Sequence, residues 1–338
     1  MSEAPGAVIF GCAGATLSDS ERRFFRDADP VGFILFQRNC ETPEQVRALV
    51  EALRDTVGRA DALVLIDQEG GRVQRLKPPH WRRYPAPAKL AALPGERALE
   101  AVRLGARLIA DDLARLGITV DCLPVLDIPV SGADPIIGDR AYGNAPEGVA
   151  RLGRAVCDGL LAGGVLPVIK HIPGHGRALV DSHLALPRVE APLELLEATD
   201  FAPFRALADM PLAMTAHIVY TALDAEHPAT LSREVIGQVI RAGIGFDGLL
   251  LSDDLSMRAL GGSFAERTRA ALEAGCDVVL HCNGDRAEMT AIAEAARPLD
   301  APGRARLDRA AAARRSAARP IDRPALEARF AALVEGAA

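Results

Sequence analysis

Short apolar runs alternate along the chain with longer segments that have a helical pattern of apolar positions. Runs of this kind, rich in β-branched residues, are typical of parallel strands that helices cover on both faces. Eight runs occur, at residues 7–10, 31–36, 62–66, 119–125, 167–170, 213–217, 249–251 and 277–281. Amphipathic segments between them include residues 43–56, 96–116, 147–162, 193–207, 233–242 and 264–274. Eight alternations predict an α/β fold, a single closed (β/α)8 TIM barrel.

An open, doubly wound sheet is the alternative fold. Such a sheet normally carries a glycine-rich turn after its first strand, where a dinucleotide binds. Residues 11–14 (GCAG) imitate that turn only loosely, because the third glycine is not in place. The closed barrel is therefore the fold that the pattern favours.

The C-terminal region differs in composition from the rest. Residues 300–338 are rich in Ala and Arg and contain Pro320 and Pro324. This pattern predicts short surface helices packed outside the barrel. No linker, repeat or second strand-rich region is visible, so we expect residues 1–338 to form one catalytic domain.

Composition excludes several classes of function. Hydrophobic residues make up 49% of the chain and charged residues 25%, as in an ordinary globular protein. The net charge of -6 comes from interspersed charges, which leave no basic face for nucleic acid. No signal-peptide pattern and no apolar stretch of membrane-spanning length is present, so we expect a cytoplasmic protein without a membrane partner. The six scattered cysteines are interpreted as reduced thiols.

Polar residues follow several of the predicted strands. Active sites of TIM barrels lie at the C-terminal ends of the strands, so these positions are candidates. They are residues 67–75, Asp127, residues 170–176, His217 and residues 252–254. Each also has a structural explanation: Asp253 or Asp254 would suit a helix N-cap, and His217 would suit a hydrogen-bonded core.

Residues 170–183 concentrate titratable groups in a segment that proline and glycine keep from being helical. Lys170, Asp181 and three histidines, His171, His175 and His183, lie within these fourteen positions. Loops on rigid scaffolds are where catalytic groups concentrate. In an extended conformation Asp181 and His183 would point to the same side, so the carboxylate would orient the imidazole and raise its basicity.

At these residues the chain resembles the bacterial β-N-acetylhexosaminidases of glycoside hydrolase family 3, in particular the single-domain enzymes that recycle peptidoglycan. The resemblance spans about residues 32–281, although Ile172 stands where the family has Phe. Five segments carry it in the family's order: residues 67–75 (DQEGGRVQR), 137–143 (IGDRAYG), 170–176 with 181–183 (KHIPGHG and DSH), 214–217 (MTAH) and 252–257 (SDDLSM).

The resemblance implies a TIM barrel and a retaining mechanism with a covalent glycosyl-enzyme. It assigns the nucleophile to Asp253 and the acid/base dyad to His183 with Asp181. It also implies sugar-binding roles for a further set of residues, of which the last two would line the pocket: Asp67, Arg75, Arg140, Lys170, His171, His217 and Met257.

This assignment is chemically reasonable. A retaining glycosidase usually pairs two carboxyl groups, and here a histidine would replace the acid. An imidazole with an ordinary pKa near 6.5 can donate a proton and later accept one. Asp253 must stay ionised to attack, so we expect a cation such as Arg75 or Lys170 to lower its pKa. Glycines and the proline in residues 173–176 suggest a loop that moves to deliver His183.

Three other functions stay open. A metal hydrolase would use His171, His175 and His183 as ligands, although Pro173 and Gly174 break the helix that an H-x-x-x-H zinc motif requires. A non-catalytic barrel would bind sugar only. A family member could also transfer the sugar to phosphate or to another sugar.

The substrate implied by the resemblance is a small sugar, N-acetylglucosamine linked β-1,4 to 1,6-anhydro-N-acetylmuramic acid, with or without its peptide. We expect no cofactor and no metal. A monomer is the default expectation.

Overall fold

The fold is a closed barrel of eight parallel strands. A computed structural model describes residues 4–335. Each strand is hydrogen-bonded to the next along the chain, and the last returns to the first. The strands are β1 (Gly6–Gly11), β2 (Pro30–Leu35), β3 (Leu63–Ile66), β4 (Val120–Asp121), β5 (Leu166–Ile172), β6 (Leu212–Thr215), β7 (Leu249–Asp254) and β8 (Val278–His281). This architecture confirms the predicted (β/α)8 barrel.

The strands close the barrel in a fixed register. β1 pairs in parallel with both β2 and β8, for example Phe10 with Phe33 on one side and with His281 on the other. All residues of β2, β3 and β5 are buried, as their continuous apolar runs predict. The strands thus form a packed scaffold whose C-terminal ends hold the polar residues.

Helices alternate with the strands, and several begin at the capping signals of the sequence. Ser18 caps the first helix with its hydroxyl and forms a capping box with Glu21. The main helices are Asp19–Ala28, Pro43–Val57, Glu96–Ala114, Pro146–Ala162, Phe264–Ala274, Arg286–Ala295, Ala301–Ala317 and Arg323–Val334. Shorter ones are Pro87–Ala91, Leu193–Ala198 and Ala202–Ala206, and Val235–Gly243 is a π-helix.

Two predicted elements differ from the structure. The strand predicted at residues 119–125 is reduced to Val120–Asp121, because the amide of Leu123 turns back to the carbonyl of Asp121 and interrupts the ladder before Pro124. The helix predicted at residues 193–207 is two short helices. Thr199 bonds back to the carbonyl of Leu195, and Pro203 lies in the first turn of the second helix.

The C-terminal helices pack on the outside of the barrel, as predicted. Arg323 forms ion pairs with Asp111 and Asp112 on helix Glu96–Ala114. Phe330 is buried against the same helix, at Gly105. That residues 1–338 form a single catalytic domain, with residues 300–338 as its C-terminal helices, stays a prediction.

The helices are too short or too polar to span a membrane, and the cysteines are buried, within the residues that the structure describes. No helix within residues 4–335 is long and apolar enough to cross a membrane. All six cysteines are buried free thiols, and burial raises the pKa of the Cys12 and Cys40 thiols to about 12. A raised thiol pKa keeps these side chains protonated and poorly nucleophilic.

Candidate active site

A cavity of about 250 Å³ opens at the C-terminal ends of the strands. Apolar side chains such as Phe36, Ile136 and Met214 form part of its wall. Eight of the ten residues that the sequence singled out also line it: Asp67, Arg75, Arg140, Lys170, His171, His183, Asp253 and Met257. Residues that lie far apart in the sequence therefore converge on one small space.

Asp67, directly after β3, lies between two cations. Its carboxylate accepts a hydrogen bond from Lys170 Nζ at 2.9 Å and one from the Arg75 guanidinium at 3.0 Å. Burial alone would raise the pKa of Asp67, but Lys170 and Arg75 outweigh it and hold the pKa well below its usual range. Asp67 is therefore an ionised acceptor at neutral pH.

Glu69 continues this network two residues later. Arg140 donates two parallel hydrogen bonds of 2.8 Å to its carboxylate, and Lys170 Nζ lies 2.7 Å from Glu69 Oε1. Burial opposes ionisation, yet Arg140 and Lys170 lower the pKa of Glu69 to about 2. The bidentate geometry fixes the guanidinium plane of Arg140 at the cavity wall.

Asp127, after β4, organises the start of the loop that follows β5. It accepts hydrogen bonds from the backbone amides of His171 and His175 and from His171 Nδ1, the last at 2.7 Å. A carboxylate can only accept, so Nδ1 of His171 carries the proton and Nε2 is the ring nitrogen available to a ligand. Against the effect of burial, these donors lower the pKa of Asp127 to about 2.

Asp181 and His183, the residues predicted to form the dyad, are hydrogen-bonded to each other, but the backbone between them is a turn and not the expected extended chain. Asp181 Oδ1 accepts hydrogen bonds from both the amide and Nδ1 of His183, at 2.9 and 2.7 Å. This is an Asx-turn, which the Asp side chain favours over an extended conformation. His183 lines the cavity with its side chain 60% exposed. Its Nδ1 proton is held by Asp181, so Nε2 is free for proton transfer.

Asp253 lies at the end of β7, on the same cavity. Burial would raise its pKa, but His171, His217 and the amide of Asp254 outweigh burial and lower it. The cations expected to do this, Arg75 and Lys170, bind Asp67 instead. Asp253 is ionised at neutral pH, as a nucleophile must be.

Two predicted residues lie behind the cavity surface. Asp181 supports His183, and His217 is fully buried, donating from Nε2 to the carbonyl of Asp254 at 3.0 Å. Its Nδ1 lies 2.7 Å from the Thr230 hydroxyl, and burial lowers its pKa. His217 therefore supports the end of β7 from inside the barrel. Met257, in contrast, lies on the cavity wall.

The three histidines of the metal-hydrolase alternative turn to different partners. His171 binds Asp127, His175 Nε2 lies 3.0 Å from Ser182 Oγ, and His183 binds Asp181. Within residues 4–335 no group of three or more His, Cys, Asp or Glu side chains is arranged to hold a metal ion. These residues do not fit a three-ligand site.

Sequence reasoning missed two charged residues of the site. Glu69 lies within residues 67–75 but was assigned no role, and Asp127 was predicted only as a candidate position after a strand. Both have the position that TIM-barrel sites favour, which was the available signal. What the sequence could not show was the partner of each, because the pairs form between different strands.

Comparisons with known proteins point to one family. The family model described as "Glycosyl hydrolase family 3 N terminal domain" matches residues 12–314. A β-hexosaminidase of Alkalilimnicola ehrlichii is 42% identical over 285 residues, which cover 82% of this chain and 81% of the relative. One of Thiobacillus denitrificans is 39% identical over 311 residues, covering 90% and 86%.

Solved structures give the same result. The crystal structure of NagZ from Neisseria gonorrhoeae in complex with N-trifluoroacetyl-D-glucosamine has a TM-score of 0.87 and 33% identity, with 99% of each chain covered. Together the comparisons confirm the prediction of a glycoside hydrolase. The chain belongs to glycosyl hydrolase family 3.

Proposed function

We propose that this protein removes terminal β-linked N-acetylglucosamine from a sugar through a covalent glycosyl-enzyme on Asp253. The observation that carries the proposal is that Asp253 and His183 line one cavity, with His183 held by Asp181. The relatives named β-hexosaminidase and the NagZ complex with a glucosamine derivative support the choice of sugar.

The reaction proceeds in two steps. The Asp253 carboxylate attacks the anomeric carbon while His183 protonates the departing glycosidic oxygen, and the glycosidic bond breaks. His183, now neutral, takes a proton from water, and the resulting hydroxide attacks the same carbon and releases Asp253. Two inversions give net retention. Asp181 stabilises the imidazolium that must be present at the start of the first step.

The charged groups around the cavity would position the sugar. Asp67 is an ionised acceptor for hydroxyl groups, and Lys170 and Arg140 are donors at fixed places. Among the described residues, buried Arg75 Nε has no hydrogen-bond partner. That nitrogen is closed to solvent, so Arg75 would reach a sugar hydroxyl through its terminal guanidinium nitrogens, one of which binds Asp67.

The specific substrate in this proposal is N-acetylglucosamine linked β-1,4 to 1,6-anhydro-N-acetylmuramic acid. The enzyme acts as a monomer in the cytoplasm and releases the N-acetylglucosamine during peptidoglycan recycling. The family resemblance supports this substrate. The cavity volume supports a single sugar ring bound inside with the aglycone outside, because about 250 Å³ lies below the usual range for larger ligands.

The test is release of nitrophenol from 4-nitrophenyl N-acetyl-β-D-glucosaminide. Wild type should be active with and without a chelator, Asp253→Ala inactive and His183→Ala strongly impaired. His227→Ala is a matched control, because His227 also binds an Asp, Asp224, from a side chain that is 60% exposed, but lies off the cavity. Inactive wild type, or full activity of Asp253→Ala, would overturn the proposal.

A further inference from the structure

The loop that carries the dyad is fixed firmly at its base. Tyr220 donates its hydroxyl proton to the carbonyl of Gly174, and Arg177 pairs with Asp200 at 2.7 Å. Gly176 packs so tightly on the backbone of Ile128 that a Cβ would overlap the carbonyl oxygen there. Residues 174–177 therefore belong to the rigid scaffold.

The tip of the loop is different. Leu179, Val180 and Leu184 are exposed, and the His183 side chain is 60% exposed. Exposed apolar side chains contribute little packing energy, so they do not hold a loop in place. Something else must keep His183 at the cavity.

Unlike these exposed side chains, Ser182, which lies between Asp181 and His183, is buried, with 2% of its surface exposed. Its hydroxyl lies 3.0 Å from Nε2 of His175. Its carbonyl accepts a hydrogen bond from the amide of Ala259 at 3.2 Å, in the segment that follows Asp253. Ser182 is thus bonded both to the rigid loop base and to the segment that carries the nucleophile.

His175 is itself held on the Asp127 carboxylate through its backbone amide at 2.7 Å. Burial, together with His171, lowers the pKa of His175 to about 4, so its ring is neutral. Nδ1 of His175 has no partner among the described residues. The hydrogen bond between Nε2 and the Ser182 hydroxyl is therefore the only side-chain hydrogen bond of His175 among the described residues.

We propose that His175 and Ser182 are positioning residues: their hydrogen bond, with the Ser182–Ala259 backbone bond, is the latch that holds the His183–Asp181 dyad against the cavity opposite Asp253. This inference rests on the proposed acid/base role of His183. Neither residue touches the reacting atoms. Loss of the latch leaves Asp253 in place but lets the dyad leave its working position.

The latch predicts a selective defect. A methyl glycoside needs a proton on its departing oxygen, whereas 4-nitrophenolate leaves with little help. In Ser182→Ala and His175→Leu, kcat/KM for methyl N-acetyl-β-D-glucosaminide should fall by about 10- to 100-fold. For the 4-nitrophenyl glycoside it should fall by no more than about threefold. His175→Gln, whose amide nitrogen can reach the position of Nε2, should recover most of the loss.

A control separates positioning from loss of stability. Thr119→Val removes another buried, hydrogen-bonded hydroxyl, at the opposite end of the barrel, and should leave the ratio of the two substrates unchanged. Hydrogen exchange at the amides of residues 178–185 should speed up in Ser182→Ala and His175→Leu only.

Equal losses on both substrates, or unchanged exchange in Ser182→Ala, would overturn the latch. Failure of the proposed function gives a different result, because wild type then cleaves neither substrate. Exchange rates in that case still decide whether His175 and Ser182 hold the loop.

Discussion

At the scale of single residues, the site is a series of alternating charges, of which Lys170, Glu69 and Arg140 are buried and Asp67 and Arg75 are half-buried. Arg75, Asp67, Lys170, Glu69 and Arg140 each bind the next through side-chain oxygen and nitrogen atoms 2.7 to 3.0 Å apart. Each charge is costly to bury alone and is stable only with its neighbours. These ion pairs therefore fix the groups proposed to bind the sugar before any substrate arrives.

Lys170 is the central cation of this series of ion pairs, so its removal should destabilise the fold strongly. Lys170→Met leaves both Asp67 and Glu69 with one cation fewer in a buried site, and we expect the free energy of unfolding to fall by about 3–5 kcal/mol. Urea denaturation measures this. Arg329→Met is the control, because the Arg329–Glu100 pair is exposed and screened by solvent, so its loss should leave stability close to that of wild type. Equal losses in the two variants would contradict the account.

Glu69 gives the pH dependence of stability. Its pKa is about 2 in the folded protein against 4.5 ordinarily, so its ionisation stabilises the fold above about pH 4.5, and this stabilisation is lost as pH falls towards 2. Arg140→Met should raise the pKa of Glu69 and so narrow the pH range over which this stabilisation is lost. Urea midpoints between pH 5 and 2 should fall less steeply in Arg140→Met than in wild type, and parallel curves would refute this.

The positions of these residues at the ends of strands could be predicted from the sequence, but which residue pairs with which could not. A polar residue after an apolar run is visible in the sequence, and eight of the ten predicted residues line the cavity. That Arg75 and Lys170 bind Asp67 and leave Asp253 to His171 depends on distances across the barrel mouth. Such distances are not encoded in local spacing.

At the scale of elements, the contrast lies between the rigid base and the exposed tip of residues 174–185. Proline and glycine predicted a non-helical loop, which is what the structure contains. The burial of Ser182 was not predicted, because it depends on contacts with His175 and Ala259. The Asx-turn at Asp181 is local, but an extended conformation was expected in its place. Similarly, the helical period of residues 193–207 hid the break at Thr199.

Gly176 tests the importance of the rigid base. Gly176→Ala places a methyl group against the backbone of Ile128, so the base must shift and carry the dyad with it. We expect a loss of about 1–3 kcal/mol in stability and about 10- to 100-fold in kcat/KM for methyl N-acetyl-β-D-glucosaminide.

Gly148→Ala is the matched control, in helix Pro146–Ala162 with open space around the new methyl group. It should leave activity unchanged and increase stability slightly. A Gly176→Ala enzyme with wild-type activity would show that the base tolerates movement.

At the scale of the whole molecule, the alternating apolar pattern was sufficient to predict the barrel. Strands covered on both faces give continuous apolar runs, and only their ends were misplaced, as at Pro124. The packing of the C-terminal helices follows from contacts such as Phe330 with Gly105, which pair residues over two hundred positions apart. The outward position was predictable from composition, but these partners were not.

Phe330 should stabilise the molecule without serving the reaction. Phe330→Ala empties a buried position between Tyr84 and Gly105, so we expect unfolding to be easier by about 3–5 kcal/mol. Below the thermal transition kcat should equal that of wild type. Leu195→Ala, at an exposed apolar position, should change neither quantity. A fall in kcat for folded Phe330→Ala would show that the C-terminal helix influences the site.

The central claim is the covalent glycosyl-enzyme on Asp253, and trapping it is the most direct test. In His183→Ala the base that activates water is missing, so the intermediate formed from 4-nitrophenyl N-acetyl-β-D-glucosaminide should accumulate. Mass spectrometry of the acid-quenched protein should find one N-acetylglucosaminyl group on the peptide that contains Asp253, and none in a variant that also carries Asp253→Ala. Nitrophenol release with the sugar on another residue, or with no adduct at any time, would contradict the account.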